Sequence, residues 1–123
     1  MSLSMRFLFS AALWGVIGMV LGIIMGARQD FSLAPVHAHI NLLGWVSLAI
    51  YGIVYRLYPL MTEGKLASWQ FYLANFGLLI MAPSLAMVLK DSKSALPALI
   101  LSELMVFGSL LLFLLILWKN RSA

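Results

Sequence analysis

The chain reads as an all-α integral membrane protein, an up-down bundle of four helices. Three observations predict this. Of its 123 residues, 63% are hydrophobic and only 10% are charged, where a soluble domain carries about a quarter charged residues. The apolar residues gather into four runs, at about 7–26, 36–57, 66–89 and 96–118, each near the ~20 residues that cross a bilayer. The links between runs are short, which favours antiparallel neighbours. The runs use most of the chain, so 1–123 reads as a single transmembrane domain. There is no soluble domain, long linker or low-complexity tract.

The first run follows Arg6. It is too long for the apolar region of a signal peptide, and no small-x-small cleavage pattern stands out near Gly26-Ala27-Arg28. It is expected to be a retained span. Met5 reads as a natural start, which would make Met1–Ser4 a scar of expression. Gly15, Gly18, Gly22 and Gly26 lie along this run. The series Gly18-x-x-x-Gly22-x-x-x-Gly26 lets a second backbone approach closely, in the bundle or in another protomer. The second run opens at Pro35, a residue suited to the first turn of a helix. The third holds Pro83, which should kink it, and also Gln70 and Asn75, which need partners inside the bundle because lipid offers none. The fourth holds Glu103, the one carboxylate inside a span.

The formal net charge of +4 sits at the ends of the runs and forms no stripe of the kind that binds nucleic acid. Cytoplasmic flanks carry the excess of Lys and Arg. With the N-terminus inside, the inner side holds Arg6, Arg56, Lys65, Lys119 and Arg121, and the outer side Arg28, Lys90 and Lys93. That bias predicts N-in and C-in. Tyr55, Tyr58, Trp69 and Trp118 would anchor the inner interface. Cysteine is absent, which excludes disulfides, thiolate ligands and c-type haem attachment.

Both histidines of the chain, His37 and His39, lie in the stretch APVHAHINLLGW. An α-helix turns about 100° per residue, so residues two apart point roughly 200° apart. One helix therefore cannot aim both rings at one mononuclear site. On α-helical spacing His37 shares a stripe with Asn41, Gly44, Leu48, Tyr51 and Tyr55, polar and small, suited to a bundle interior or a flat cofactor. His39 shares one with Leu43, Val46, Ile50 and Ile53, aliphatic, suited to lipid or to a neighbouring subunit. Both could also be interfacial residues capped by water or loop carbonyls. Glu103 is expected at the same depth as His39–Leu43. A charge near the bilayer centre costs ~2.5–3.5 kcal/mol. Three roles stay open for it: a hydrogen bond to the far nitrogen of a ligating histidine, a metal ligand beside the histidines, or a protonated acid holding helices through Asn75 or Ser102.

The stretch PVHAHINLLGWVSLAIYGIVYRLYP resembles the second transmembrane helix of haem–copper oxidase subunit I, especially in the nitric oxide reductases and C-class oxidases. HAHINLLGW also resembles the His-Ala-His element of the membrane haem–copper proteins of the nitric oxide response. The likeness covers about 25 residues; the other spans match only in kind. It implies an axial ligand to haem b. The Pro-Val-His element places that ligand at His37, the favoured position, since both the spacing to Pro59 and the polar stripe with Asn41 and Gly44, which would lie beside the cofactor, agree with it. The His-x-Asn-Leu-Leu element places it at His39, followed by Asn41, Leu42 and Leu43. The chain lacks the later helices and any third histidine, so it cannot assemble the oxygen- or nitric-oxide-reducing centre of that family, and no enzyme activity of its own is expected. A second axial ligand would come from another protomer or from a methionine.

The function these readings imply is a haem b-binding membrane protein for electron transfer or redox or gas sensing, expected as a homo-oligomer in a bacterial inner membrane. The alternatives are a copper or zinc site built from His37, His39 and Glu103 across subunits, and a non-catalytic accessory or assembly subunit with a respiratory-chain partner.

Overall fold

A computed structural model describes residues 1–123. Four long helices make up the fold: α1 (Leu3–Arg28), α2 (Ala34–Leu57), α3 (Leu66–Leu89) and α4 (Leu96–Lys119). Each reaches a few residues beyond, or matches, the run expected from hydropathy. All are long and apolar enough to cross a membrane. Leucine, isoleucine and phenylalanine side chains line the outside of every helix, for example Ile23, Ile53, Phe76 and Leu114. That is a surface matched to lipid and costly in water.

Local chemistry sets the helix ends. Ser2 accepts the backbone N–H of Met5 and caps α1. Gln29 closes α1 in a left-handed conformation (φ 51°), and its side-chain amide donates to the Gly26 carbonyl. Asp30 accepts the Ser32 N–H across the turn at 3.1 Å. Pro35 stands in the first turn of α2 and Pro97 in that of α4.

The four helices run antiparallel in sequence. Along α1 and α2, Gly22 meets His37, Gly18 meets Asn41 and Gly15 meets Trp45. The contact is tight: a Cβ on Gly18 would lie 2.6 Å from Asn41 Nδ2, and one on Gly22 2.7 Å from His37 Cε1. The glycine stripe thus serves the bundle itself. It also accounts for its own absence of side chains, because no other residue leaves room for a polar face to lie against the helix. On the return side, Gly44 lies under Trp14. Gly77 of α3 seats Met105 and Val106 of α4 in the same way.

Two polar ties join α1 to α3. The Trp14 indole N–H donates to Asn75 Oδ1 at 3.1 Å, and Arg6 Nη2 donates to Tyr72 OH at 2.8 Å. Asn75 also donates to the Phe71 carbonyl, so its amide is satisfied within the bundle. The densest packing lies toward the end that carries both termini. There Phe7, Tyr51, Tyr55, Phe71 and Phe113 bring all four helices into ring contact, with centroids 4.7–5.9 Å apart. Buried among them, the Tyr55 hydroxyl donates to Gln70 Oε1. The Nε2 of Gln70 has no partner.

Helix α3 continues through Pro83. Proline has no N–H to give the Leu79 carbonyl one turn back. The next carbonyl, of Ile80, receives the Ser84 hydroxyl at 2.6 Å, which ties the chain down just past the break.

Candidate functional site

Helix α2 is not α-helical throughout. Between its α-helical ends, Ile40–Val46 winds as a π-helix, with the five-residue hydrogen-bond span of that form. The Leu42 carbonyl receives the N–H of Ser47 and also its hydroxyl, at 2.7 Å. Segments of this kind are rare and concentrate at functional sites.

The wider turn changes which residues share a face. On α spacing, the 12 residues from His39 to Tyr51 would drift roughly 120° out of line. The π segment absorbs much of that drift. His39, Leu43, Ser47 and Tyr51 therefore stay on one side, each four residues after the last, and together they line one cleft. This corrects the stripe drawn from α-helical spacing, which put Tyr51 with His37. Val46, Ile50 and Ile53 do not line the cleft; they are exposed on a surface suited to lipid, as expected of that stripe. The same effect holds His37, Asn41 and Trp45 in line against the glycines of α1.

The cleft holds about 310 Å³ and opens at the side of the bundle. Helix α3 adds Ala74 and Met81 to its wall, and α4 adds Glu103, Phe107 and Ser109. Its lining is mainly apolar with a few polar groups, the usual make-up of a small-molecule site. Glu103 is exposed at this wall. It does not hold helices through Asn75 or Ser102. Asn75 binds Trp14 and Phe71, and the Ser102 hydroxyl donates to the Leu99 carbonyl.

Both imidazoles have a fixed tautomer. His37 Nδ1 lies 2.7 Å from the Gly18 carbonyl, and His39 Nδ1 lies 2.6 Å from the Pro35 carbonyl. A carbonyl only accepts, so each Nδ1 carries a proton, and in the neutral ring Nε2 then keeps the lone pair. Asn41 Nδ2 then donates to the His37 carbonyl at 2.8 Å, since the protonated Nδ1 nearby has no lone pair for it. A backbone carbonyl on one ring nitrogen is the ordinary support for a histidine that ligates through the other. For the same reason Glu103 is not the group that orients either ring.

The surroundings of the two rings differ. His37, Asn41 and Gly44 all lie on the contact with α1, pressed on Gly22, Gly18 and Trp14. His39 lies at the cleft, with Glu103 across from it on another helix. The structure thus brings His39 and Glu103 together and keeps His37, Asn41 and Gly44 apart from them. Ser47, Met81 and Ser109 complete the cleft, and neither serine is among the candidate site residues read from the sequence. The four-residue spacing of 39, 43, 47 and 51 was a signal available for Ser47.

No cluster of three or more His, Asp or Glu stands close enough to hold a metal ion. A structural zinc site of four protein donors is therefore not assembled within one chain. The cleft presents one imidazole and one carboxylate at a mainly apolar wall.

The chain matches no family model, no curated protein and no solved structure. The reading of function accordingly rests on the residues of the cleft.

Proposed function

We propose that the chain is a haem b-binding membrane protein that carries electrons or senses redox state or a gas. It would sit in a bacterial inner membrane with both termini inside, as the five-to-three distribution of Lys and Arg favours. The observation that carries this reading is the state of His39. Its Nδ1–H is held by the Pro35 carbonyl, and its ring lines an apolar cleft open at the side of the bundle.

His39 is the axial ligand in this reading, in agreement with the His-x-Asn-Leu-Leu form of the resemblance. When bound, haem b supplies a one-electron iron couple, which the side chains of this chain do not provide. The residues of the chain do the rest. Pro35 fixes the tautomer and the angle of the imidazole. Leu43, Val106 and Phe107 exclude water from the cleft wall. Ser47 holds the π segment that keeps His39 and Tyr51 on one side. His37 and Asn41 act through α1: they fix the helix that presents His39. A cleft of about 310 Å³ lies at the small end of ligand sites.

The full-length protein, purified in detergent and offered haem b, is expected to bind it in stoichiometric amount and to show a Soret band. A protein that stays colourless would sink the proposal. One observation favours a second reading: Glu103 shares the cleft with His39. Imidazole and carboxylate together suit zinc or copper(II), with two copies completing the donor set. Elemental analysis separates the two, since stoichiometric copper or zinc without iron supports the metal site.

A further inference from the structure

We infer that the end of the bundle carrying both termini holds an anionic phospholipid, with its headgroup in a groove beside the first turns of α3 and an acyl chain along one face of that helix. The groove holds about 270 Å³ and is lined by Lys65, Ser68, Trp69 and Tyr72. Each of these side chains carries an N–H or O–H donor, and none carries a carboxylate or an amide oxygen. Arg6 reaches the same place from α1. Its Nη2 donates to the Tyr72 hydroxyl at 2.8 Å, and its guanidinium lies over the Phe71 and Tyr72 rings, 4.8 and 5.5 Å from their centroids. Having accepted from Arg6, the Tyr72 oxygen still has its own proton to give, and the guanidinium keeps further N–H groups free.

Nothing in the chain balances this set of donors. Its four acids are Asp30, Glu63, Asp91 and Glu103. Only Glu63 belongs to this end of the bundle, and it lines a different groove, with Lys119 and Asn120. Neither α1 nor α3 has an acidic residue in its first turn. Two cations and several neutral donors without an acceptor fit a phosphate, which brings negative charge and acceptor oxygens together. Basic pockets between spans take lipid headgroups on these terms. What favours a lipid over free phosphate is the surface that continues from the groove. Trp69, Tyr72, Phe76 and Leu79 stand at i, i+3, i+7 and i+10, on one face of α3, and all four are exposed. The Tyr72 and Phe76 rings stack with centroids 6.2 Å apart. Trp and Tyr suit the level of the headgroups, and Phe76 and Leu79 extend the strip toward the hydrocarbon. A free anion would use the groove and leave the strip idle. The site is built without any residue of the His39 cleft, so it does not depend on what that cleft binds.

The test uses the full chain in phosphatidylcholine vesicles, with lipid brominated on its acyl chains as a quencher of tryptophan fluorescence. Brominated phosphatidylglycerol, added as a minor component, should quench more than brominated phosphatidylcholine at the same level. Trp69→Phe should remove most of that excess, because Trp69 is the indole at the groove. Lys65→Gln should weaken the preference for phosphatidylglycerol roughly five-fold, the worth of one cation near an anionic surface. Lys119→Gln, at the same end but outside the groove, should leave it unchanged. Circular dichroism checks that each variant is folded. Equal quenching by the two lipids overturns the assignment, and so does an excess that survives Trp69→Phe. Equal weakening by Lys65→Gln and Lys119→Gln would reduce the preference to diffuse charge and overturn the groove. Inorganic phosphate should not displace the lipid beyond what chloride of the same ionic strength does; displacement by phosphate alone would make the groove a free-anion site and overturn the lipid.

Discussion

The two histidines stand two residues apart in one helix, yet they live in different solvents. His37 faces a closed contact, its ring on Gly22 and its Nδ1 on the Gly18 carbonyl. His39 faces an open cleft with Met81 and Glu103. Each ring has the same tautomer and the same kind of backbone partner. What separates them is the element opposite: a stripe of glycine for one, a gap between helices for the other. A ligand is thus chosen less by the histidine than by what has been left unfilled beside it.

The sharpest way to break this contrast is to remove each ring in turn. His39→Ala should abolish haem uptake, measured by the pyridine haemochrome yield, while the bundle stays folded by circular dichroism. His37→Ala should keep uptake but loosen α1 from α2. The lost hydrogen bond and packing would lower stability by about 1–3 kcal/mol, read from unfolding in a denaturing detergent. Equal loss of haem in both variants would erase the distinction.

Filling the closed face comes next. Gly18→Val places a Cβ within 2.6 Å of an Asn41 amide that is already committed to the His37 carbonyl. Overpacking of this sort costs about 1–3 kcal/mol. The same substitution at Gly26, which has nothing within 4 Å, should be close to neutral apart from any helix propensity gain. Matched stabilities for the two variants would mean that the stripe does not seat α2.

The aromatic end of the bundle gives a third test, on a polar pair sealed away from both histidines. Tyr55→Phe leaves the Gln70 amide buried with neither end bonded, at a cost of about 1–3 kcal/mol. Adding Gln70→Leu should recover most of that loss, because a matched apolar pair leaves no polar group stranded. A double variant less stable than Tyr55→Phe would argue that Gln70 Nε2 has a partner.

The smallest effect is expected at the turn that aims α2. The backbone N–H of Ser32, helped by its side chain, holds the Asp30 carboxyl below its ordinary value of 3.8. A depressed carboxylate stabilises the fold above its unfolded value and ceases to do so as pH falls through the folded one. Protection of the Ser32 amide in hydrogen exchange should therefore be present at neutral pH and fade only below 3.8. Protection that does not change with acid would remove Asp30 from the turn.

The fold was legible from the sequence because a bilayer leaves few choices. Four apolar runs with short links give four helices, and Gly18, Gly22 and Asn75 announce interior contacts by being unsuited to lipid. The occupants of those contacts were less legible. Nothing in Gly22 says that an imidazole will rest on it. The cleft is hidden in the sequence for a definite reason: uniform α-helical turning from His39 to Tyr51 puts the two on different faces. Leu42, Leu43 and Gly44 do not advertise a π segment, and the hydroxyl of Ser47 that helps close it looks like any serine in a span.

The π segment also gives α2 a property that no side chain carries. The number of residues between His39 and Tyr51 is itself part of the site. A deletion of one residue there could leave hydropathy, length class and every named side chain in place, and still rotate the two halves of the helix against each other. The helix behaves as a counted thread. When other chains are aligned to this one, a gap of one within Ile40–Val46 marks a change of architecture, whereas a gap of one in the turn after Tyr58 changes only the length of a link.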